Sequence, residues 1–310
     1  MAIVHSLYRD SGVARIEDQT CTCCGQCVEI CAAQVLKIEE GRVRPGGDSP
    51  FGCVACGHCM MVCPTGSISV TGRDLSPEDL LTLPPRENRA TTDALANLMI
   101  ARRSIRHFTE QEMAPGDLDR IVEIAAAAPM GIPPWDVGCV VVSGRAKVRE
   151  LAAEIIKDYA GFLKLFRPWV LTCMRPFIRR ETYEQYRDFI RPLAETYVKN
   201  YQAGRDVLFY GAPALLIFHH SPYADPADAA IACTYAMLAA ESLGLGNTII
   251  GGAPPILQRN KRLCQSLEIP DRNKPAMALI VGHPAVEFRR AIRRRFTGVS
   301  HIPNRQSRYA

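Results

Sequence analysis

The sequence lacks any long apolar run. Its best candidate, "APALLIF" at 212–218, stops at His219 and His220, far short of the ~20 residues that cross a bilayer. No membrane span is expected. The opening MAIVHSLYRDSG reaches Arg9 and Asp10 before an apolar core of leader length can form, so no export signal is read. A strong charge imbalance is also missing. The net charge is +5, with much of the excess in "FRRAIRRRF" at 288–296, and so mild a balance gives no reason to expect a nucleic-acid partner. A dinucleotide fingerprint is absent too: "GLGNTIIGG" at 244–252 does not have G-x-G-x-x-G spacing and precedes an expected strand instead of following one. Nor does the chain offer a persuasive nucleophile, base and acid set for acyl transfer.

Cysteine is scarce over most of the chain and dense at one end. Thirteen cysteines in 310 residues fall well below the density of a secreted disulfide scaffold, and nine of them stand at or before Cys63. That clustering argues for metal in a reducing compartment, hence a cytoplasmic location. The length suggests about two domains. With 47% hydrophobic and 22% charged residues, the bulk is an ordinary globular protein.

Spacing sorts the cysteines. Cys21, Cys24, Cys27 and Cys31 form C-x2-C-x2-C-x3-C, and Cys53, Cys56, Cys59 and Cys63 repeat it, followed by Pro64. Cys23 breaks the register and is read as a free thiol. Two-residue gaps let a tight loop wrap three thiolates around adjacent corners of a cubane, and in two-cluster proteins the fourth cysteine of each run serves the other cluster. This assigns Cys21, Cys24, Cys27 and Cys63 to one [4Fe–4S] cluster, and Cys53, Cys56, Cys59 and Cys31 to the second. A pair of structural zinc sites is the weaker alternative, because zinc rarely uses two interleaved runs of this kind. Residues 16–70, through "CGQCVEIC" and "CGHCMMVCPTGSISV", resemble a bacterial-type two-cluster ferredoxin, which implies two short pseudo-symmetric halves and closely spaced clusters. The family usually places proline where Ala32 stands and a small residue where Cys23 stands. Neither departure removes a ligand.

After Val70, "TGRDLSPEDLLTLPPRENRATTD" carries Pro77, Pro84 and Pro85 among turn-forming residues, as a linker would. The expected division is a cluster domain over 1–75, a linker over 76–95 and a larger domain over 96–310. In the larger part Asp93 can cap a helix presenting Leu95, Leu98 and Met99, and Pro115 can open another through Leu118, Ile121, Val122 and Ala125. Four apolar runs, at 136–143, 214–220, 247–252 and 276–283, read as buried strands separated by helical patterns. The fold class is α+β, with a central mixed sheet between helices. Residues 155–210 form a helical excursion whose Tyr183, Tyr186, Phe189, Ile190, Leu193 and Tyr197 repeat at helical spacing. This stripe suits a core or dimer face, or a lid, and Pro168, Pro176 and Pro192 divide it into short helices.

"ARRSIRHF" at 101–108 sets Arg102, Arg103, Ser104 and Arg106 at a helix end, where guanidinium and hydroxyl groups can grip a phosphate. Taken in order with "AAAAPMGIPPW" at 125–135, "FYGAPALLIF", "AAIACTYAMLAAESLGLGNTIIGG" and "ALIVGHP", it resembles the flavin-dependent nitroreductase superfamily over most of 96–295. Ferredoxin domains fused ahead of such domains are a recognised arrangement. The resemblance implies that Arg102, Arg103 and Ser104 hold the FMN phosphate and ribityl chain and that Arg106 faces the flavin N1/O2 edge. It further implies that Pro129, Met130, Gly131 and Ile132 lie along the ring, with Gly251 and Gly252 close to its other edge. A C-terminal basic residue should complete the phosphate site; the sequence does not choose among Arg289, Arg290, Arg293 and Arg294, and Arg290 and Arg293 are taken as the candidates. Met130, Ile132, Pro133 and Pro134 stand where the family often has polar residues, so flavin contacts there would come from backbone. Cys139, Cys173, Cys233 and Cys264 read as core residues, and His107, His219, His220 and His283 lack a ligand-spaced partner.

Together these readings describe an iron–sulfur flavoprotein oxidoreductase, expected as a homodimer. Electrons would pass through two [4Fe–4S] clusters to FMN and on to a nitroaromatic, quinone or activated alkene. The external donor or acceptor would be a ferredoxin or flavodoxin, or NAD(P)H. The alternatives are a relay between protein partners and the reverse flow, from a substrate or NAD(P)H to ferredoxin.

Overall fold

The computed structural model describes residues 11–47, 49, 52–131 and 136–302. At the amino-terminal end, β1 (Val13–Ile16) pairs antiparallel with β4 (Ile68–Thr71), and β2 (Leu36–Glu39) pairs with β3 (Arg42–Pro45). Helices α1 (Gln26–Glu29) and α2 (His58–Val62) connect them. A shift of 32 positions superimposes the two cysteine runs, and the backbone repeats with it. Gly25 and Gly57, at φ 79° and 73°, precede α1 and α2; Cys23 and Ala55 sit at φ 55° and 54°; Gln34 and Gly66 follow at φ 52° and 65°. Left-handed torsions cost a non-glycine residue roughly 1–2 kcal/mol. Their recurrence at matching places shows that the loop shape around the thiols governs these positions more than the side chains do. Ala55, Met60, Val70 and Leu75 form one small core here, and Ala33 and Val54 a second.

Residues 72–91 hold two single 3-10 turns, and Leu81 and Leu83 stand in solvent. Helix α3 (Thr92–Ala101) begins inside the stretch expected as linker, and Thr91 caps it, its hydroxyl accepting from Ala94 N at 3.2 Å. Asp93, expected as the cap, lies in the first turn, where its charge favours the helix N-terminus.

The larger sheet runs β5 (Val137–Ser143), β6 (Ala214–His220), β8 (Lys274–Gly282), β7 (Gly246–Ile249) in spatial order. All three pairings are antiparallel. The mixed sheet expected from sequence is therefore antiparallel in its strands, with a parallel contact at the isolated bridge Ser104–Asn247. β7 also ends earlier than the 247–252 run suggested. Strand periodicity divides the sheet between two cores. Leu215, Ile217, Ala278 and Ile280 pack with α5 (Arg145–Leu165) and α8 (Arg191–Gln202), while Leu216, Phe218, Leu279 and Val281 pack with α4 (Pro115–Ala126) and α9 (Pro226–Ser242). Burial on both faces is why β6 reads as an unbroken apolar run.

The helical excursion is partly core. Ile155, Ile156 and Tyr159 on α5 and Ala194 on α8 are buried, so only the chain between Leu165 and α8 departs from the main core. There, α6 (Pro168–Met174), a 3-10 turn at Arg175–Phe177 and α7 (Arg180–Gln185) follow, and α7 passes through a π-helical segment, Tyr186–Ile190, into α8. Pro192 explains the π segment: it has no N–H to donate and its ring crowds the carbonyl four residues back. Tyr186 lies 6.2 and 6.1 Å from the rings of Phe162 and Phe166, clamping this helix to α5, whereas Phe189 of the same stripe is 61% exposed. Cys173 is exposed as well, contrary to its reading as a core residue. Two short helices, α10 (Pro254–Leu257) and α11 (Lys261–Ser266), complete the elements.

Candidate functional site

Two chambers occupy the amino-terminal part. The first is lined by Cys21, Cys24, Cys27 and Cys63, with Ile16, Val43 and Ile68 as apolar wall. The second is lined by Cys31, Cys53, Cys56 and Cys59, with Leu36, Val54 and Val70. Each takes three thiols from one run and the fourth from the other. Among the described residues no three His, Cys, Asp or Glu side chains close on one point as a single ion requires; the thiols instead surround a space.

Backbone donors point at these sulfurs. Val35 N lies 3.4 Å from Cys31 Sγ, Ser67 N lies 3.3 Å from Cys63 Sγ, and Ala55 N lies 3.4 Å from Cys53 Sγ. The first two occupy equivalent places in the repeat. Burial pushes the Cys59 thiol up to about 12 and raises Cys27 and Cys53. At Cys63 burial is outweighed by the Thr65 hydroxyl and by the N–H groups of Thr65, Ser67 and Ile68, which together hold the thiol below its usual value. Donors aimed at sulfur favour the thiolate, the form that binds metal. Beside the first chamber Asp18 accepts from Arg44 Nη1 at 2.6 Å and from Arg42 at 3.2 Å.

The arginine-rich turn is fixed to the far edge of the large sheet. Ile105 N donates to Asn247 O at 3.0 Å, and Thr248 Oγ1 donates back to Ile105 O. A Cβ on Gly246 would come within 2.7 Å of Ile105 Cγ2, so glycine there permits the close approach. Arg102 is half-buried at the end of α3, and Arg103 donates to its carbonyl at 2.6 Å. Burial lowers the pKa of Arg102, opposed by Glu241 and reinforced by Arg103 and Arg294. Burial raises that of Glu241 against the pull of both arginines. Arg102 is thus partly desolvated at the end of α3, within reach of the charges of Glu241, Arg103 and Arg294. Arg294, not singled out from sequence, is the C-terminal cation whose field reaches Arg102; Arg290 and Arg293 lie on the same exposed stretch after β8.

Further along, the Arg106 guanidinium sits 5.6 Å over the Tyr210 ring. Tyr197 feels the charge of Arg106, and its pKa is raised chiefly by burial. Tyr197 also packs on Gly252, where a Cβ would lie 2.8 Å from its hydroxyl, and Tyr159 Oη donates to Gly252 O at 2.7 Å. Arg106 and Gly252 are thereby brought together through three tyrosines that sequence reasoning missed. Their signal was present only as one member of the helical stripe, Tyr197. Gly251 is exposed beside them.

Pro129, Met130 and Gly131 lie elsewhere. Met130 lines an apolar cavity of about 230 Å³ with Val137, Cys139, Phe218 and Ala232, and Gly131 faces Asp228. Ile132 lies outside the described residues. Asp228 stands in the first turn of α9 and Glu241 in its last, so at 1.5 Å per residue the loop and the arginines are about 20 Å apart along one helix. A single protomer does not bring them together.

A four-stranded antiparallel sheet between helical layers, with a cationic turn strapped to one edge, defines an α/β sandwich of the nitroreductase type. Residues 99–283 match the nitroreductase family, and the chain belongs to that family. It is 28% identical over 190 residues to an FMN reductase [NAD(P)H] of Bacillus subtilis, covering 59% of this chain and 63% of the relative. A second FMN reductase (NADPH) of the same organism is 27% identical over 187 residues, covering 60% and 64%. The chain thus spans less than two-thirds of the length of these relatives. Among solved structures, a nitroreductase with bound FMN from Bacteroides fragilis superimposes with a TM-score of 0.52 at 21% identity, covering 68% of this chain and 100% of that one. One from Desulfitobacterium hafniense gives 0.50 at 20% identity, covering 67% and 97%.

Proposed function

We propose that the protein is an FMN-dependent oxidoreductase whose amino-terminal part carries two [4Fe–4S] clusters in series with the flavin. The observation that carries this reading is the turn of Arg102, Arg103 and Ser104, bonded to the sheet edge of a nitroreductase-family domain, preceded by two chambers of four thiols each. FMN supplies conversion between one-electron and two-electron transfer. The arginines suit a phosphate because partial desolvation strengthens their pull on an anion. Ser104 is set beside them by its bridge to Asn247. Arg106, steadied by Tyr210, holds positive charge where the flavin edge would become negative.

The thiol geometry favours clusters over zinc, since zinc needs four ligands within roughly 2.3 Å of one centre and these thiols line a space. The assignments are Cys21, Cys24, Cys27 and Cys63 to one cluster and Cys31, Cys53, Cys56 and Cys59 to the other. The distance between the Met130 loop and the arginines supports a homodimer in which each flavin pocket draws on two copies. A cytoplasmic location accords with thirteen cysteines of which none is joined in a disulfide. Electrons would enter at the clusters and leave to a small organic acceptor.

A second direction is favoured by the two Bacillus relatives, an FMN reductase [NAD(P)H] and an FMN reductase (NADPH): a nicotinamide would reduce the flavin, and the clusters would be the exit. Anaerobic titration with NADH, NADPH and reduced ferredoxin, following flavin and cluster bleaching separately, tests both. Bleaching by ferredoxin alone supports the first direction, and rapid bleaching by a nicotinamide supports the second. Protein reconstituted with iron, sulfide and FMN that holds neither cofactor would refute the whole reading.

A further inference from the structure

The stretch 164–180 carries five basic side chains, Lys164, Arg167, Arg175, Arg179 and Arg180, and no acidic one. It runs from the last turn of α5 through α6 to the start of α7. Helix α6 faces inward through buried Leu171, with Val170 and Met174 half-buried beside it. Residues three and four apart share a helix face, so its outer face presents Trp169 and Cys173, and Phe177 continues that line in the next turn. Trp169 is 65% exposed, Phe177 87% and Leu165, at the end of α5, 67%. Single exposed hydrophobics are ordinary. Here they lie close together in a stretch of chain whose charged side chains are all basic.

Two of the cations are held in place. Arg175 lies 5.8 Å over the Tyr183 ring, and Arg180 is held by Glu184 at 2.8 Å. Trp169 projects from a short helix whose opposite side is buried, Phe177 from the turn that follows it and Leu165 from the end of α5. Tryptophan, phenylalanine and leucine on one side, with arginine and lysine around them, is the pattern of a helix that lies in a membrane interface. Indole suits the headgroup depth, having an apolar body and one polar N–H.

We propose that this face, Leu165, Trp169 and Phe177 with their surrounding cations, seats the protein on an anionic lipid surface. Charge complementarity selects the partner: each cation near such a surface adds attraction that salt screens. The docking does not depend on the redox reading and is testable whatever the cofactors prove to be.

Full-length protein is sedimented with phosphatidylcholine vesicles with and without phosphatidylglycerol. Binding to the phosphatidylglycerol vesicles is expected, weakened by salt. Trp169→Ala with Phe177→Ala should lower the partition coefficient by about tenfold or more through lost apolar insertion, and Arg167→Glu with Arg179→Glu should remove the preference for anionic lipid. Circular dichroism confirms that each variant folds, as expected for exposed positions. The proposal is overturned by absence of binding to anionic vesicles, by equal binding to neutral ones, or by variants that bind like the parent. It is also overturned if the alanine pair changes the oligomeric mass in analytical ultracentrifugation while vesicle binding stays unchanged, since the face would then lie between copies of the chain.

Discussion

The crossing of the cysteine runs can be tested with pairs of substitutions that carry equal chemical damage. Cys21 and Cys63 line the first chamber although they belong to different runs, while Cys21 and Cys31 share a run but line different chambers. A hydroxyl at position 63 would keep neighbours such as Ser67 N, now 3.3 Å from the sulfur, but would not supply a thiolate to iron. With interleaved ligands, Cys21→Ser/Cys63→Ser damages one chamber, and iron should fall from about eight to about four atoms per chain. Cys21→Ser/Cys31→Ser damages both chambers, and iron should fall towards zero. If each run held its own cluster the two results would exchange. Iron and sulfide analysis with low-temperature electron paramagnetic resonance of the reduced protein reads the difference. General destabilisation would affect both variants alike, so equal iron in the two would refute the crossing. Cys23→Ser serves as control and should retain all the iron.

The remaining predictions concern the larger domain. Arg103→Ala should weaken FMN retention by about 10- to 100-fold, the worth of one charge-assisted hydrogen bond; flavin fluorescence after ultrafiltration measures it, and unchanged retention rejects the phosphate role. Gly252→Ala would push a methyl to 2.8 Å from the Tyr197 hydroxyl and should destabilise the fold by about 1–3 kcal/mol as overpacking does. Adding Tyr197→Ala should cost less than the sum of the two changes in urea unfolding. His219 is buried against Gly138, and burial followed by the charge of His220 lowers its pKa. Its unfolded form binds a proton first, so stability should be intact above about pH 6.5 and fall as pH drops below it. Chemical denaturation at several pH values should show a smaller drop in His219→Gln.

What could be read from the sequence depended on whether the determinant was local. The cysteine register is a matter of loop length, so Cys21 through Cys63 fall into their chambers at the spacing that first separated Cys23 from its neighbours. β6 and β8 were legible because burial on both faces leaves an unbroken apolar run. Thr91 and Asp93 both have capping side chains two residues apart, and nothing local decides between them. Arg290, Arg293 and Arg294 stand in a stretch without helix or strand, with no periodicity to tell which one's charge reaches Arg102. The distance from Met130 to the arginines is set by the length of α9 and by strand order, neither of which a motif contains. Tyr197 was visible only as one of six residues at helical spacing, because the same helical interval describes a core contact and a residue resting on Gly252.

The crossed chambers also set an order of events in biosynthesis. A nascent chain that has reached Gly47 owns three thiols of one chamber and one of the other, and neither chamber is closed. The first is completed only when Cys63, the last of the eight, leaves the ribosome, and by then the second already has all its members. The first run of cysteines therefore cannot close its own chamber until the second run has been made, and the chamber begun later is the first to have all its thiols.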